Sequence, residues 1–456
     1  MIDFDKFARY SAPMPRYTSY PTAPEFRDDW TLDDLKASIA RSNETARALS
    51  IYVHLPFCRS ACYFCGCNVI YTSKEGQKDE YIVRLQREME IFSSLLDTRR
   101  EVRQIHFGGG TPTFFGAAQL EQIIKALYRV FPNVSDRLEF GVEIDPRFFT
   151  EDQMRAMSDG GVNRISFGVQ DFDPKVQAAV HRVQPFELNA KAVALARKYG
   201  AKSVNIDLLY GLPHQSVFGF CRTIEQALEL KSDRVALFNY AHLPWLKNTM
   251  RNIDETALPS AAEKLKMFQS AVEIFGANGF EMIGMDHFAK LGDELHIALK
   301  EGRLRRNFQG YTTHNECDLF GFGVTSISEG ADFYSQNFRK LDDYDRAIDE
   351  GKPPFMRGIA LNCDDRLRKR VIMGLMSVFA LDFAAVEKEF GIAFEEYFAP
   401  DLEALKPLEA DGLLTIENRR IAISDTGRLL IRNIVANFDP YLKKSRFADR
   451  RFSKSV

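Results

Sequence analysis

The chain has 456 residues, of which 45% are hydrophobic and 27% charged, and its formal net charge is −3. This composition is typical of a folded globular protein and excludes a disordered chain. The near-neutral charge provides no broad basic surface, so we expect no nucleic-acid partner. Neither a signal-peptide pattern nor a run of 18 uncharged apolar residues occurs, so we expect a cytoplasmic protein without a membrane span.

Residues 48–290 alternate short β-branched runs with longer amphipathic segments. The predicted strands are 49–57, 104–112, 138–146, 163–171, 203–213 and 234–244. The clearest helical segments are 78–96, 117–131 and 186–200, and the last ends on a glycine suited to a helix C-terminus. Six strand–helix units in series predict a parallel sheet covered by helices.

Polar residues gather where these strands end. They are the cysteines after residue 57, the glycines at 108–110, Glu143, Asp145, Gln170, Asp207, Tyr240 and His242. A (β/α) barrel and an open doubly wound sheet both bind ligands at this edge. The pattern therefore predicts where the site lies, but leaves open whether the sheet closes.

The strand–helix rhythm stops after about residue 290. Segment 301–330 is rich in glycine, polar and aromatic residues, which predicts a ligand-facing loop or cap. From about residue 364 the pattern is mainly helical, and two short strands then flank a turn and lead into a last helix. This is typical of a small domain with a winged hairpin. We expect it to serve packing, because no basic recognition helix is visible.

Four segments follow from this organisation. We predict an N-terminal extension or lid at 1–47, a parallel α/β domain at 48–290 that is either a barrel or an open sheet, a substrate-facing loop and cap region at 291–360 and a helical C-terminal domain at 361–456. The stretch 14–26 is too rich in proline to be helical, which favours a lid.

Seven cysteines are present, and four of them, Cys58, Cys62, Cys65 and Cys67, fall within ten positions. An odd, crowded set does not predict pairwise disulfides, and in a reducing compartment it indicates metal binding or redox chemistry. The isolated cysteines, 221, 317 and 363, are interpreted as small buried or half-buried side chains.

Cys58, Cys62 and Cys65 directly follow the first strand, with three and then two residues between them. Three thiolates in this spacing can hold a [4Fe–4S] cluster and leave one iron open for catalysis. A structural zinc site would need a second cysteine pair further along the chain. An electron carrier would need Cys67 as a fourth ligand, at the cramped spacing Cys65-Gly66-Cys67.

The segment GGGTPT, residues 108–113, follows the second predicted strand. Glycines at such a point let the backbone approach a ligand closely, although a glycine run can also be a simple turn. Together with the three-cysteine loop, this segment resembles the radical S-adenosylmethionine (SAM) superfamily. The resemblance implies an α/β fold, a partial (β/α)6 TIM-like radical SAM barrel with a smaller, mainly helical, winged-helix-like C-terminal domain.

In that superfamily, the amino and carboxylate groups of SAM bind the open iron of a [4Fe–4S] cluster. Reduction of the cluster then cleaves SAM to methionine and a 5′-deoxyadenosyl radical. Further segments narrow the resemblance to one family, the oxygen-independent coproporphyrinogen III oxidases (coproporphyrinogen dehydrogenases). These segments are YVHLPFCRSACYFCGCN, HFGGGTPTFF, EIDPR, FGVQDF, NIDLLYGLP, FNYAHLP, GMDHFA and NFQGYTT.

This resemblance implies a radical SAM oxidoreductase of porphyrin and haem biosynthesis. The family decarboxylates two propionate side chains of coproporphyrinogen III to vinyl groups, which gives protoporphyrinogen IX. A radical removes hydrogen from the propionate β-carbon, a C–H bond that a general base at ordinary pKa cannot attack. The implied partners are two SAM molecules, a reducing electron donor such as flavodoxin or ferredoxin, and no second subunit, since a monomer is expected.

The resemblance also assigns residues. Cys58, Cys62 and Cys65 would be the cluster ligands. The first SAM would contact Tyr52, Gly109, Glu143 and Ile327. The second SAM would contact Phe64, Gly110, Thr111, Gln170, Arg182, Asp207 and Ala241. Cys67 would join Tyr52 and Glu143 at the catalytic centre, and the cationic candidates for the substrate carboxylates are Arg305, Arg306 and the tail 443–456.

Taken singly, each of these residues could also have a purely structural role. Tyr52 could be an ordinary strand aromatic, Glu143 and Asp207 could cap helices or pair with arginine, and the tail could be a solvated terminus.

Other functions are possible for the protein as a whole. A haem chaperone of the same superfamily would typically lack Cys67 and the segment NFQGYTT. A related methyltransferase or haem-degrading enzyme should diverge in 301–330. An electron-transfer protein would leave the GGGTP, EIDPR and NIDLLYGLP segments unexplained. A winged-helix redox regulator would need a basic recognition surface, and the sequence shows none.

Overall fold

A computed structural model describes residues 2–10, 12–74, 76–314 and 317–444. The strands are β1 Ala48–Leu55, β2 Phe57–Cys58, β3 Ile70–Tyr71, β4 Val102–Gly109, β5 Val134–Ile144, β6 Arg164–Gln170, β7 Ser203–Tyr210, β8 Arg234–Asn239, β9 Phe280–Gly284, β10 His287–Lys290, β11 Arg305–Asn307, β12 Gly310–Thr312, β13 Cys317–Phe322, β14 Ile327–Glu329, β15 Phe333–Asn337, β16 Phe355–Ala360, β17 Ala380–Asp382, β18 Leu414–Glu417 and β19 Arg420–Ile423.

The α-helices are α1 Phe4–Arg9, α2 Leu32–Glu44, α3 Gly76–Ser93, α4 Ala117–Val130, α5 Glu151–Asp159, α6 Pro174–Ala179, α7 Phe186–Lys198, α8 Val217–Glu229, α9 Ala261–Ala277, α10 Glu294–Lys300, α11 Leu341–Asp349, α12 Cys363–Val378, α13 Phe383–Phe390, α14 Phe394–Tyr397, α15 Ala399–Ala410, α16 Asp425–Leu429, α17 Ile431–Val435 and α18 Pro440–Lys444. Within the described ranges, no helix combines the length and the apolar character that a bilayer crossing needs.

The chain forms two compact units. The sheet unit comprises Arg27–Pro259 and Glu316–Ala360, and the helical unit comprises Met1–Phe26, Ser260–Asn315 and Leu361–Val456. The predicted boundaries at residues 47, 290 and 360 stay predictions. Every residue assigned to a cluster or SAM contact belongs to the sheet unit.

The sheet unit is built on strands in the order β16-β15-β14-β13-β1-β4-β5-β6-β7-β8. The strands run parallel from β13 to β8, whereas β14, β15 and β16 are antiparallel. Strand β1 is buried along nearly its whole length, as expected for a parallel strand covered on both faces. The predicted α/β class with a central parallel sheet and a helical C-terminal region is therefore confirmed.

The predicted strands and helices of this unit are present with shifted ends. The predicted strand 49–57 is divided into β1 and β2 at Pro56, because proline has no N–H for a sheet hydrogen bond. The predicted helix 186–200 is α7, and Gly200 adopts φ +84° just beyond its end. This is the left-handed conformation that glycine permits at a helix terminus.

Segment 301–330 differs from the predicted loop. It contains β13, a buried strand that pairs in parallel with β1 and extends the sheet beyond the six predicted strands. The glycine at position 321 makes this strand look like part of a loop in the sequence. In the structure, a Cβ at Gly321 would lie 2.6 Å from the carbonyl oxygen of Ile327. The glycine is therefore required by close packing between β13 and β14.

In the helical unit, the predicted C-terminal hairpin is present as β18 and β19, which lead into α16. A third strand, β17, pairs with β19 and divides the mainly helical pattern that begins at about residue 364. The interruption falls at Phe379, whose φ of +57° ends α12. The N-terminal stretch packs within this unit, since Tyr17 is buried and its Oη donates to Asp439 Oδ2 at 3.0 Å. The predicted lid role stays a prediction.

Candidate functional site

The four clustered cysteines lie on one loop that leaves the carboxyl end of β1. Strand β2 pairs in parallel with β3, which closes residues 59–69 into a loop. Tyr63 fixes its middle, because its N–H donates to Val180 O at 3.0 Å and its ring stacks on His181 at 5.1 Å. At its end, Lys247 Nζ donates to Cys67 O at 2.7 Å. The loop is thus held at both its middle and its end.

The thiols of this loop differ in surroundings. Cys62 is buried, Cys58 and Cys65 are half-buried, and Cys67 is exposed; all seven cysteines of the chain fall in the described ranges and are free thiols. Burial, and then the charges of Cys65 and Cys62, raise the pKa of Cys58 to about 12. Hydrogen bonding from Cys67 lowers the pKa of Cys65 to about 6.

This donor chemistry fits an iron–sulfur cluster. Burial is the main cause of the raised pKa of Cys58, and the charges of Cys65 and Cys62 add to it. A positive metal centre bound by these sulfurs would offset both effects. Thiolates are also the usual ligands of [4Fe–4S] clusters. Among the described residues, no three His, Cys, Asp or Glu side chains are grouped closely enough to hold a single metal ion.

The glycine segment lies at the end of β4, beside the cysteine loop. Gly109 adopts φ +119°, and a Cβ there would lie 2.8 Å from the His54 imidazole. A Cβ at Gly108 would lie 2.8 Å from the Glu143 carboxylate, and one at Gly110 would lie 2.6 Å from Phe57 O. The clash at Gly109 is with a hydrogen-bonded ring and the clash at Gly110 is with backbone, so the chain can pass beside the cysteine loop at these two positions only without side chains.

Two histidines organise the polar side chains at this edge. His54 Nε2–H donates to Asn68 O at 3.1 Å, so its Nδ1 accepts from Tyr52 Oη at 3.0 Å. Burial lowers the pKa of His54 to about 4, which keeps the ring neutral in this role. His106 stacks on Tyr52 and donates from Nε2 to Glu143 Oε1 at 3.1 Å.

Glu143 is one of the carboxylates that line the site. Burial raises its pKa, but the hydrogen bond and charge of His106, with the Gly109 N–H, outweigh burial and hold the pKa below its ordinary value. Its side chain is still 47% exposed. An ionised, partly open carboxylate can accept from a cationic ligand.

Further along the sheet, Asp207 on β7 accepts from Asn205 Nδ2 at 2.7 Å and from Ser166 Oγ at 3.3 Å. Burial, followed by the charge of Glu143, raises the pKa of Asp207 to about 7. Gln170 ends β6 with φ +71°, a strained value for a non-glycine residue. Such strain is tolerated where surrounding contacts fix the backbone, and it is common at functional sites.

One cavity at the carboxyl edge of the sheet collects most of the predicted site residues. Its lining includes Cys58, Cys62, Phe64, Cys65, Cys67, Gly109, Gly110, Thr111, Glu143, Gln170, Arg182 and Asp207. Tyr52, Ala241 and Ile327 are not part of this lining among the described residues. Tyr52 lies within β1, Ala241 follows β8, and Ile327 begins β14.

Other residues at the cavity were not predicted from the sequence. Arg147 and Ser166 line it, and Arg147 Nη2 lies 3.5 Å from Cys62 Sγ. His54 and Lys247 fix the glycine segment and the cysteine loop as described above. The segments YVHLPFC and EIDPR contain His54 and Arg147, but neither residue type at those points indicates a role by itself.

The cationic candidates for the substrate carboxylates lie in the helical unit. Arg306 is buried and donates from Nη1 to Arg16 O at 2.6 Å and Tyr17 O at 3.0 Å. Arg305 Nη1 donates to Leu304 O at 2.8 Å. Both guanidinium groups therefore already bind backbone carbonyls. Most of the tail 443–456 lies outside the described residues, and its role stays a prediction.

Comparison with known proteins places the chain among its relatives. The family model of the Radical SAM superfamily matches residues 52–227, and that of the HemN C-terminal domain matches residues 361–430. An oxygen-independent coproporphyrinogen III oxidase from Helicobacter pylori is 50% identical over 100% of this chain and 99% of its own length. Its Escherichia coli counterpart is 43% identical over 97% of this chain and 96% of its own length.

A solved structure agrees with these matches. The structure described as coproporphyrinogen III oxidase (HemN) from Escherichia coli, a radical SAM enzyme, superposes with a TM-score of 0.92 at 42% identity. It covers 97% of this chain and 99% of that chain. On the strength of full-length identity and a shared fold, this chain belongs to the oxygen-independent coproporphyrinogen III oxidase family of the radical SAM superfamily.

Proposed function

We propose that this protein oxidatively decarboxylates two propionate side chains of coproporphyrinogen III to vinyl groups without oxygen, which yields protoporphyrinogen IX. The observation that carries the proposal is the single cavity in which the thiols of Cys58, Cys62 and Cys65 meet the glycine backbone and Glu143. The full-length match to relatives named for this activity supports the same substrate.

Cys58, Cys62 and Cys65 would hold the [4Fe–4S] cluster. With SAM bound, that cluster would supply the radical chemistry that attacks the unactivated C–H bond at the propionate β-carbon. The protein's own task is orientation and exclusion of water. The fixed loop keeps the three thiols on one edge of the sheet, and the bare backbone at Gly109 lets β4 end against the His54 ring beside them.

Glu143 and Tyr52 would orient the first SAM. Glu143 is held ionised by His106, so it can accept from the α-amino group of SAM. Tyr52 is fixed by its hydrogen bond to neutral His54. Gly109 and Ile327 would complete the contacts of this SAM.

A second SAM would bind next to the first, and two molecules match the two decarboxylations. Its contacts would come from Phe64, Gly110, Thr111, Gln170, Arg182, Asp207 and Ala241. All of these except Ala241 line the same cavity. Cys67 is the exposed thiol of the loop, which suits a catalytic role facing the substrate.

The proposed reaction also requires an electron donor, and the chain has to work in some oligomeric state and cellular compartment. The cluster needs a reducing electron donor such as flavodoxin or ferredoxin. We also infer a cytoplasmic monomer, in keeping with a chain of 456 residues that buries an extensive core within itself.

The test is an anaerobic assay of the reconstituted protein. The protein is loaded with iron and sulfide and given SAM, reductant and coproporphyrinogen III, while protoporphyrinogen IX and 5′-deoxyadenosine are both followed. We expect both products from the wild type and neither from Cys62→Ser. Cys221→Ser is the matched control, because Cys221 lies on α8 away from the cavity lining.

The outcomes separate the parts of the proposal. Deoxyadenosine without a vinyl product would keep the radical chemistry but reject the substrate, in favour of a haem-binding relative. If a fully loaded cluster yields neither product, the proposed function is wrong.

A further inference from the structure

Two arginine side chains converge on one cysteine of the loop. Arg182 Nη1 lies 3.4 Å from Cys62 Sγ, and Arg147 Nη2 lies 3.5 Å from the same sulfur. The arginine side chains are only 10% and 13% exposed, and Cys62 is buried. Both contacts therefore lie in a region where water screens charge weakly.

Asp145 fixes both guanidinium groups at this sulfur. Its Oδ2 accepts from Arg147 Nη2 at 2.7 Å and lies 3.0 Å from Arg182 Nη1. Its Oδ1 accepts from the backbone N–H of Arg147 at 3.0 Å and so begins the short helical turn Pro146–Phe148. Burial raises the pKa of Asp145, but Arg182 and Arg147 outweigh it and keep the carboxylate ionised.

Arg182 is held from its other side as well. Its Nη2 donates to Gly168 O at 2.8 Å and its Nε donates to Gln184 Oε1 at 2.9 Å. The two guanidinium groups and the single Asp145 carboxylate together leave a net positive charge beside the sulfur of Cys62. Neither arginine has the freedom to turn away from the sulfur without breaking these contacts.

We propose that Arg147, together with Arg182, raises the reduction potential of the cluster by donating N–H···S hydrogen bonds to Cys62. The inference rests on the cluster part of the proposed function. A hydrogen bond and a positive charge at a ligating sulfur stabilise the more negative, reduced cluster, so electron uptake becomes easier. Arg147 is a positioning residue in this role, since it acts on the cluster through Cys62.

The experiment compares Arg147→Gln with Arg147→Lys and with Arg59→Gln, in anaerobically reconstituted protein. Arg59 follows Cys58 directly, is exposed, and lies over the Phe148 ring at 5.2 Å. Arg59→Gln removes one positive charge from the cysteine loop itself, whereas Arg147 lies in the turn after β5, and no hydrogen bond joins Arg59 to Cys62 among the described residues. The readout is the midpoint potential of the cluster from an EPR-monitored redox titration, with iron and sulfide content measured for each variant.

We expect Arg147→Gln to lower the potential below that of Arg59→Gln, with about a tenfold loss of reduced cluster at a fixed potential, or about 59 mV for a one-electron couple. Arg147→Lys should lie between wild type and Arg147→Gln, because it keeps the charge but not the planar donor pair. Equal potentials for Arg147→Gln and Arg59→Gln would overturn the inference.

If Arg147→Gln fails to assemble a cluster, Arg147→Lys decides the question. A loaded Arg147→Lys cluster with the wild-type potential would then overturn the inference, and a lower potential would support it. Coproporphyrinogen is absent from this titration. A protein that makes no vinyl product but shows the predicted shift would therefore refute the proposed substrate and leave this inference standing.

Discussion

A first prediction concerns Glu88, a residue of helix α3 whose buried side chain should make the free energy of unfolding depend on pH. Its carboxylate is fully buried and accepts from Gly323 N–H at 2.7 Å, Tyr344 O–H at 2.6 Å and Asn337 Nδ2 at 2.6 Å. Gly323 begins the turn that leads into Ile327, one of the proposed SAM contacts. The informative change is Glu88→Gln, because it preserves the shape of the side chain but cannot ionise.

The magnitude follows from the pKa of the buried carboxyl. Burial raises the pKa of Glu88 from 4.5 to about 7, even though its three hydrogen-bond donors lower it. At about 1.36 kcal/mol per pH unit, this difference corresponds to about 3 kcal/mol. The folded protein binds this proton more tightly than the unfolded chain does. The stabilisation is therefore complete below pH 4.5 and lost as the pH rises through 7.

We expect the free energy of unfolding of Glu88→Gln to rise relative to wild type by about 3 kcal/mol between about pH 5 and pH 8. A constant cost of about 1–2 kcal/mol is superimposed, because the amide cannot accept from Asn337. The assay is urea unfolding followed by circular dichroism at several pH values. Glu90→Gln is the matched control, since Glu90 lies on the same helix with its side chain 59% exposed.

A constant difference between Glu88→Gln and wild type at every pH would refute this reasoning. It would mean that the three donors fully compensate the ionised carboxylate. A pH-dependent difference of equal size in Glu90→Gln would also refute it, because the effect would then not depend on burial.

Three further predictions concern the cavity. Cys65→Ser should abolish cluster assembly, seen as lost iron and lost visible absorbance, whereas Cys363→Ser should assemble a normal cluster. Gly109→Ala should weaken SAM binding by about tenfold or more in equilibrium dialysis, because its Cβ would meet the His54 ring at 2.8 Å and its φ of +119° is strained for alanine. Unchanged affinity would contradict the proposed contact. Burial first, and then Glu143, raise the pKa of Asp207 to about 7, so Asp207 gains its negative charge as the pH rises through 7. Binding of cationic SAM should strengthen over that range in wild type and stay flat in Asp207→Asn; parallel pH profiles would argue against this contact.

Much of this protein could be predicted from local sequence. The spacing of Cys58, Cys62 and Cys65 after a strand indicates a cluster, because ligands close in sequence need only one loop to meet. The alternation of strands and helices predicts a parallel sheet and its functional edge, because hydrophobic periodicity is a local property of the chain. The resemblance of several segments to one family predicts the oxidation of coproporphyrinogen III, and the full-length relatives are named for that activity.

Tertiary structure alone decided the rest. Strand β13 is separated from its partner β1 by more than 260 residues, and its glycine is explained only by the neighbouring strand. Arg147 reaches Cys62 from the turn after β5, and Arg182 reaches it from the segment between α6 and α7. Glu88 meets donors from the turn at Gly323, from β15 and from α11. Such contacts depend on which side chains the folded sheet brings together. Hydrophobic periodicity predicts single helices and strands, but it does not predict which distant residues come into contact.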